Sequence, residues 1–585
     1  MIDAVVQTLW AQLIAASLAD AGVRRCVVSP GSRSTPLVAA LAADGRFDLP
    51  SIVDERAAAF FALGVARATG SPAAMVCTSG SAAAHYLPAL VEASCAGVPL
   101  VAITADRPPE LHDCGANQTI DQVKMYGAFV RATRDLGAPV GSALALRAVR
   151  RKVLEAVGLA RGPHAGPVHL EVPLRKPLEP AAPATDDERA LAREVAELRA
   201  STAIAPPPRL HADDGALAEL AAAIAAEPRG VVIAGALPVG FPRDGVLALC
   251  ARAGYPLLAE AASQLRFGPR PAQVAAIDHF DLVLASPALA GAPAPRLVIQ
   301  LGAEPVAAAW TGTRLPGAQR WVLAARGWHD PEGTARGVIV GDPADALARL
   351  AARVEPTGDR ASFPGAWRGI EQRIAGAIDR ALAAHPRCEG AVLRAALDAA
   401  PAGTLVQLGN SLPIRVVDHA CSGGGAARGV LAQRGAAGID GLIASAAGAT
   451  RAGAPVLLVL GDVSFAHDLG GLLAAREASS PLAIVVVDNA GGRIFSGLPV
   501  ARANLGAAFE RHWLTPPAID PAAVAAVLGA HAITAATPQA AGEAVAAALA
   551  TSGTTVIHAP VTPTGAHDLR RHALELAATG GATHA

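Results

Sequence analysis

The chain has 585 residues and a formal net charge of −1, so nothing electrostatic favours nucleic acid or an anionic membrane surface. Its hydrophobic fraction is 52%, but the apolar residues are dispersed, and no run reaches the ~20 residues of a membrane span. The opening MIDAVVQTLW lacks the basic region and apolar core of an export signal. The cysteines are odd in number, scattered and never spaced C-x-x-C. That argues for reduced thiols in a cytoplasmic protein, not a disulfide frame or a zinc site.

Length alone predicts three or four domains at ~150 residues each. Strands are expected over 25–28, 51–54, 74–78, 100–104 and 167–172, with helices between them, one opening at Glu55 and stopping at Gly70. Repeated strand–helix units mean a parallel, doubly wound sheet, and this first domain is taken as 1–185. A proline-, alanine- and charge-rich stretch, 186–208, reads as a linker. A central α/β domain, 209–355, carries expected strands at 230–233, 282–284, 296–300 and 320–323, and no G-x-G-x-x-G follows any of them. A connecting helix falls within 356–387. The last domain, 388–585, repeats the rhythm of the first, with a strand at 404–408 before Gly409-Asn410-Ser411. The expected fold is α/β, with three consecutive doubly wound parallel-sheet domains.

The chemistry concentrates in PVLLVLGDVSFAHDLGGLLAAREASSPLAIVVVDNAGGRIFSGLP, residues 455–499. Two apolar runs, 456–460 and 482–487, flank a helix-like segment at 467–479. Read as a βαβ unit, the runs are parallel. Asp462 and Asn489 then share the carboxyl edge of the sheet, where open α/β sheets bind ligands. Both offer oxygen, which suits a hard cation that bridges to phosphate. Taken singly, each could be an ordinary turn residue.

Glu55 opens a helix. It is either a first-turn charge complementing the helix dipole or a carboxyl facing a cofactor nitrogen. The loop Ser29–Pro36 places Ser32 and Arg33 after a strand, where an arginine can hold a carboxylate bidentately or simply sit in a surface loop. Arg107, Asn117, Gln118, Ser411, Arg415 and Arg434 recur at equivalent edges. So many strand-end arginines in a near-neutral chain suggest a pocket for polyanionic small molecules.

The phrases SPGSRSTPL, DERAAAFFALG, CTSGSA, ADRPPEL, GANQTIDQ, GNSLPIRVVD, RGAAGIDG, GDVSFAHDL and GGRIFSGLP resemble the thiamine-diphosphate-dependent 2-succinyl-5-enolpyruvyl-6-hydroxy-3-cyclohexene-1-carboxylate synthases of menaquinone biosynthesis. They span both outer domains; the middle domain matches only loosely. The resemblance implies pyrimidine- and diphosphate-binding domains flanking a central one. It implies decarboxylation of 2-oxoglutarate and conjugate addition of the resulting succinyl-semialdehyde carbanion to isochorismate. Matching positions imply Glu55 at N1′ of the aminopyrimidine, with Ser32, Arg33 and Gln118 also catalytic. Asp462, Asn489 and the carbonyl of Gly491 would bind Mg²⁺ or Mn²⁺. Ser464 and Phe465 would lie beside the diphosphate. Ile439 would hold the cofactor bent, although core packing explains an isoleucine equally well. Ser32, Arg33, Arg107, Asn117, Gln118, Ser411, Arg415 and Arg434 would surround the substrates, and Ser411 would also touch the cofactor. The resemblance also implies a homodimer or a dimer of dimers, with each cofactor held by two chains.

This chain departs from the family pattern in places. Pro305-Val306-Ala307-Ala308-Ala309-Trp310 stands where many members carry basic residues, which leaves one carboxylate contact unassigned; Arg314 is a nearby substitute. Gln433 replaces an asparagine, Ala437 a serine, and Asp488 a common asparagine. Two other readings stay open. One is a different thiamine-diphosphate 2-oxoacid decarboxylase or carboligase; the other is a catalytically silent relative. The arginines weigh against the first, and intact Glu55, Asp462 and Asn489 against the second.

Overall fold

The computed structural model describes residues 4–200, 206, 209–313, 315, 317–356 and 362–579. The first sheet holds β1 (Arg25–Val28), β2 (Ala73–Cys77), β3 (Leu100–Asp106), β4 (Thr133–Asp135) and β5 (Val168–Pro173), in the order β1-β2-β3-β5-β4. Every neighbouring pair is parallel. Each residue of β2, β3 and β5 is buried, as expected of parallel strands covered on both faces. The helix Ala4–Asp20 supplies Leu9, Leu13 and Leu18 to the core beneath this sheet.

The expected strand at 51–54 reduces to a single bridge, Val28 to Ser51. The chain turns at once into the helix Glu55–Thr69, whose N-cap Asp54 accepts the N–H groups of Arg56 and Ala57, the usual cap chemistry. The stretch read as a linker, 186–208, is helical over Asp186–Ala200. Val195 is buried in the first core, with Leu191 and Leu198 packed against it. An apolar stripe within the charged, alanine-rich sequence explains the difference.

The second sheet holds β6 (Gly230–Ala234), β7 (Leu257–Ala259), β8 (Ala276–Ile277), β9 (Leu297–Leu301), β10 (Gln319–Ala324) and β11 (Gly337–Val340), ordered β11-β10-β9-β6-β7-β8. The expected strand at 282–284 is instead part of the helix Phe280–Ala285. A short apolar run reads alike in a buried helix and a buried strand. In the departing segment, the N–H groups of Val306 and Ala307 donate to the Glu260 carboxylate. Ala307 is buried, so this turn presents no cation. Arg314 lies outside the described residues.

The third sheet holds β12 (Leu405–Leu408), β13 (Val430–Ala432), β14 (Val456–Gly461), β15 (Leu482–Asp488), β16 (His531–Thr534) and β17 (Thr554–Pro560), ordered β13-β12-β14-β15-β17-β16. All of its pairs are parallel. The helix expected at 467–479 is broken into Asp462–His467, Gly470–Ala474 and a 3₁₀ turn, Ala475–Glu477. Asp468 lies at the break, where its Oδ2 accepts the N–H groups of Ile443 and Ala444 at 2.7 and 3.1 Å. It thereby caps the helix Leu442–Ala449.

The chain divides into two compact units. One contains the first sheet together with Gln433–Gly453 and Asp468–Ser479; the other contains the second and third sheets. Within 388–585 all six strands, β12 to β17, form one sheet, while the intervening segments Gln433–Gly453 and Asp468–Ser479 group with the first unit. In the first unit the helices Glu55–Thr69 and Leu442–Ala449 meet backbone to backbone. A Cβ on Gly64 would overlap the Ser445 carbonyl, and one on Gly448 the Phe61 carbonyl.

Among the described residues no helix is long and apolar enough to cross a membrane. All seven cysteines are free thiols.

Candidate functional site

The candidate residues fall into two groups, one in each unit. In the first unit, Ser32 and Arg33 follow β1, Arg107 follows β3, and Asn117 and Gln118 lie in the loop beyond it. All five line one cavity of about 720 Å³. Arg33 is buried; its Nη1 donates to the Leu174 carbonyl at 2.7 Å, and its Nε has no hydrogen-bond partner. Burial, with the neighbouring Arg107 charge, lowers its pKa. Arg107 Nη1 donates to Ser79 Oγ. Ser79 Oγ in turn donates to the Gln118 carbonyl at 3.2 Å, while Gln118 Nε2 donates to the Ser79 carbonyl at 2.9 Å. Gln118 sits at φ +56°, an uncommon conformation for a non-glycine residue. Hydrogen bonds thus link Arg107 and Gln118 through one serine.

Arg175 and Lys176 also line this cavity, and sequence reasoning passed over both. They follow β5, so the strand-end logic that found Arg107 applies to them equally. Arg175 is occupied: it pairs bidentately with Glu110 at 2.5 and 2.8 Å.

Beneath the cavity wall lies a buried polar cluster. Thr104 Oγ donates to Glu171 Oε2 at 2.5 Å, and Gln122 Nε2 donates to Glu171 Oε1 at 3.2 Å. Gln122 Oε1 accepts the Gly80 N–H at 2.7 Å. Asp106 Oδ1 accepts the Arg107 N–H at 2.7 Å. Burial raises the Glu171 pKa to about 7. Burial and the Glu171 charge raise that of Asp106. Burial lowers His169 to about 4, so its imidazole is neutral.

Glu55 stands partly exposed at the start of its helix. Arg434 and Ile439 belong to the same unit and are half-buried. Their loop is held by Glu92, which the sequence reading missed. Its carboxylate accepts the N–H groups of Gly435, Ala436 and Ala437 at 2.9, 2.6 and 3.2 Å and pairs with Arg67. No local motif marks Glu92; it lies on a helix far away in sequence.

In the second unit, Asp462 directly follows β14 and Asn489 directly follows β15, and these strands pair in register with Gly461 opposite Val487. The βαβ reading therefore brings them to one sheet edge as expected. Asp462 is buried, and Oδ2 accepts the Gly491 N–H at 2.6 Å. Burial raises its pKa to about 6; the Asp488 charge acts in the same direction, and the Gly491 N–H opposes it. Asn489 Nδ2 donates to Glu389 Oε1 at 2.5 Å, while its Oδ1 is buried without a hydrogen-bond partner. Gly491 has φ +116°, and a Cβ there would overlap the Leu514 carbonyl, so glycine is required on both counts. Ser464 and Phe465 are buried on the short helix Asp462–His467. Ser411 sits at φ +73° after β12, and its carbonyl accepts Arg415 Nη1 at 2.6 Å. Strain of this kind in a serine at a strand end marks a site the surrounding structure holds in place.

Among the described residues no group of three His, Cys, Asp or Glu side chains could hold a metal. The donors at this edge are instead one carboxylate, one amide oxygen and a glycine carbonyl. That set fits Mg²⁺, which takes few protein oxygens and completes its shell with phosphate and water. The unpartnered Asn489 Oδ1 is an acceptor left over for such an ion.

Residues 10–125 match the family described as thiamine pyrophosphate enzyme, N-terminal TPP binding domain. Residues 425–559 match the corresponding C-terminal TPP binding domain. The chain is 43% identical to the 2-succinyl-5-enolpyruvyl-6-hydroxy-3-cyclohexene-1-carboxylate synthase of Sorangium cellulosum (strain So ce56), across 95% of this chain and 93% of that protein. It is 40% identical to a protein of the same name from Halobacterium salinarum, across 88% of each. A solved structure, benzoylformate decarboxylase from Polynucleobacter necessarius, superposes with a TM-score of 0.70. It covers 95% of this chain and 98% of that one at 16% identity, a likeness of fold.

Proposed function

Because the chain belongs to the 2-succinyl-5-enolpyruvyl-6-hydroxy-3-cyclohexene-1-carboxylate synthase family of thiamine-pyrophosphate enzymes, we propose that it decarboxylates 2-oxoglutarate and joins the remaining four-carbon unit to isochorismate. The observation that carries this reading is the convergence of Arg33, Arg107, Asn117 and Gln118 on one cavity. Two guanidiniums and two amides suit carboxylate-rich substrates.

Thiamine diphosphate, when bound, supplies the carbanion chemistry that a protein side chain cannot. Asp462, Asn489 and the Gly491 carbonyl would hold Mg²⁺ or Mn²⁺ against its diphosphate, with Ser464 and Phe465 alongside. Ile439 and Ser411 would position the cofactor rings. Glu55 would exchange a proton with N1′ of the aminopyrimidine. Arg33 and Arg107 would fix substrate carboxylates, with Gln118 and Ser32 orienting the reacting groups through hydrogen bonds. Asn117, Ser411, Arg415 and Arg434 would complete the substrate contacts. The active form is taken to be at least a homodimer, acting in the cytoplasm.

The test is direct. Purified protein is supplied with thiamine diphosphate, Mg²⁺, 2-oxoglutarate and isochorismate, and the product is read by mass. Turnover of 2-oxoglutarate without any adduct of isochorismate would favour a simple decarboxylase instead.

A further inference from the structure

We propose that Glu389 is a positioning residue that fixes which end of the Asn489 amide faces the metal. The proposal rests on the reading of Asp462, Asn489 and Gly491 as the cation site.

An asparagine side chain presents an oxygen at one end and an NH₂ at the other. The two ends are nearly the same shape, and only the oxygen binds a hard cation. Something must therefore choose between them. Asn489 Nδ2 donates to Glu389 Oε1 at 2.5 Å. A half-turn of the amide would press Oδ1 against the carboxylate, two acceptors in contact. Glu389 is 1% exposed and Asn489 5% exposed, so no water can relieve that clash. Ionised, the Glu389 carboxylate accepts only, and in that form it admits one orientation.

The same orientation leaves Asn489 Oδ1 buried and without a hydrogen-bond partner. Glu389 is itself anchored as the first residue of the helix Glu389–Ala399, after the N-cap Cys388. The next residue, Gly390, has no room for a side chain: a Cβ would approach Leu569 Cδ2 at 2.5 Å and Ala420 Cβ at 2.9 Å. The start of this helix is thus clamped, and Glu389 with it. Among the described residues no basic side chain pairs with Glu389. The side-chain hydrogen bond of its buried carboxylate goes to the Asn489 amide, and the nearby charge is the Asp462 carboxylate.

The experiment measures Mn²⁺ affinity of the full-length protein with saturating thiamine diphosphate, by loss of the free-ion paramagnetic signal. Glu389→Gln keeps the shape but offers either a donor or an acceptor, so it no longer selects. Outer-shell partners of metal ligands are worth about 10–100-fold in affinity, and a loss of that order is expected. On an Asn489→Ala background the same substitution should change nothing further, because the effect runs through the amide. The reciprocal swap, Asn489→Asp with Glu389→Gln, exchanges donor and acceptor while keeping an oxygen on the metal, and should recover most of the loss.

The proposal is overturned if Glu389→Gln binds Mn²⁺ like the wild type while Asn489→Ala does not. It is also overturned if the loss persists undiminished on the Asn489→Ala background, which would make Glu389 merely structural. If Glu389→Gln does not fold, the swap decides, and a swap that fails to fold or to bind counts against the proposal. If Asn489→Ala itself binds Mn²⁺ normally, the cation-site reading fails and the positioning role goes with it.

Discussion

Asp462 Oδ2 accepts the backbone N–H of Gly491 at 2.6 Å, tying the turn after β14 to the turn after β15. One carboxylate oxygen thus holds the Asn489–Gly491 turn in place. Asp462→Ala should both remove a metal ligand and loosen that turn. Its Mn²⁺ affinity should fall by more than the ~10–100-fold of an outer-shell partner. In the wild type, exhaustive chelation should abolish turnover, and Mg²⁺ or Mn²⁺ should restore it. Full activity in a verified metal-free sample would refute the assignment.

The way this edge was legible in sequence is instructive. Two apolar runs separated by a helix-length segment force Asp462 and Asn489 to one side of a parallel sheet, whatever the details between. Those details were not legible. The segment 467–479 scores as one helix because nothing local shows that Asp468 turns away to cap Leu442–Ala449. The same holds for Glu92 and Glu389. Both act on groups hundreds or about a hundred residues away, and sequence spacing carries no trace of such contacts. Composition reads 186–208 as a linker, and it does not show that one stripe of Leu191, Val195 and Leu198 suffices to dock the helix Asp186–Ala200 on the first core.

Glu92 gives a prediction about the loop that carries Arg434 and Ile439. Its carboxylate is almost wholly buried, holding three backbone N–H groups and Arg67. Removing one partner of a buried pair typically costs about 3–5 kcal/mol, because the other charge is left uncompensated. Glu92→Ala should therefore lower the urea midpoint clearly. Glu92→Ala with Arg67→Leu should recover part of the stability but not the loop geometry, so activity should stay low. Recovery of activity together with stability would mean the three N–H bonds are dispensable.

Glu171 sets an expectation for pH. Burial raises its pKa to about 7, above a carboxyl's ordinary range. The folded state then holds the proton more tightly than the unfolded chain. Its contribution to stability is full below the unfolded value and is lost as pH rises through about 7. Glu171→Gln cannot ionise, so it should flatten this decline. Relative to the wild type, the variant should gain on the order of 1–3 kcal/mol between pH 5 and pH 8, read as urea midpoints at the two pH values. A difference that does not change with pH would show that Glu171 ionises freely in the folded protein.

The subunit arrangement is open to a mixing experiment. Inactive Glu55→Gln and inactive Asp462→Ala subunits, allowed to exchange, should regenerate some activity if each site draws on two chains. Exchange proven by mass, with no activity regained, would place a complete site in each chain.

The sharpest prediction concerns Glu55. It begins a helix, after the N-cap Asp54, and so has two possible roles. As a first-turn charge it would stabilise the helix by about 0.3–1 kcal/mol and do nothing else. As the partner of N1′ it would promote loss of the C2 proton from bound thiamine diphosphate. Glutamine keeps nearly the same shape but cannot exchange the proton. A general acid–base contribution is worth roughly 10²–10⁴-fold in rate. Glu55→Gln should therefore lose turnover, and C2 hydrogen–deuterium exchange of bound cofactor, by that order, while Mn²⁺ binding and the urea midpoint stay near wild type. Arg415→Ala separates the two steps from the other side. It removes a proposed carboxylate contact, so KM for substrate should rise while C2 exchange is unaffected. If Glu55→Gln leaves C2 exchange at the wild-type rate, Glu55 is a helix-start charge and the proton route proposed for it is wrong.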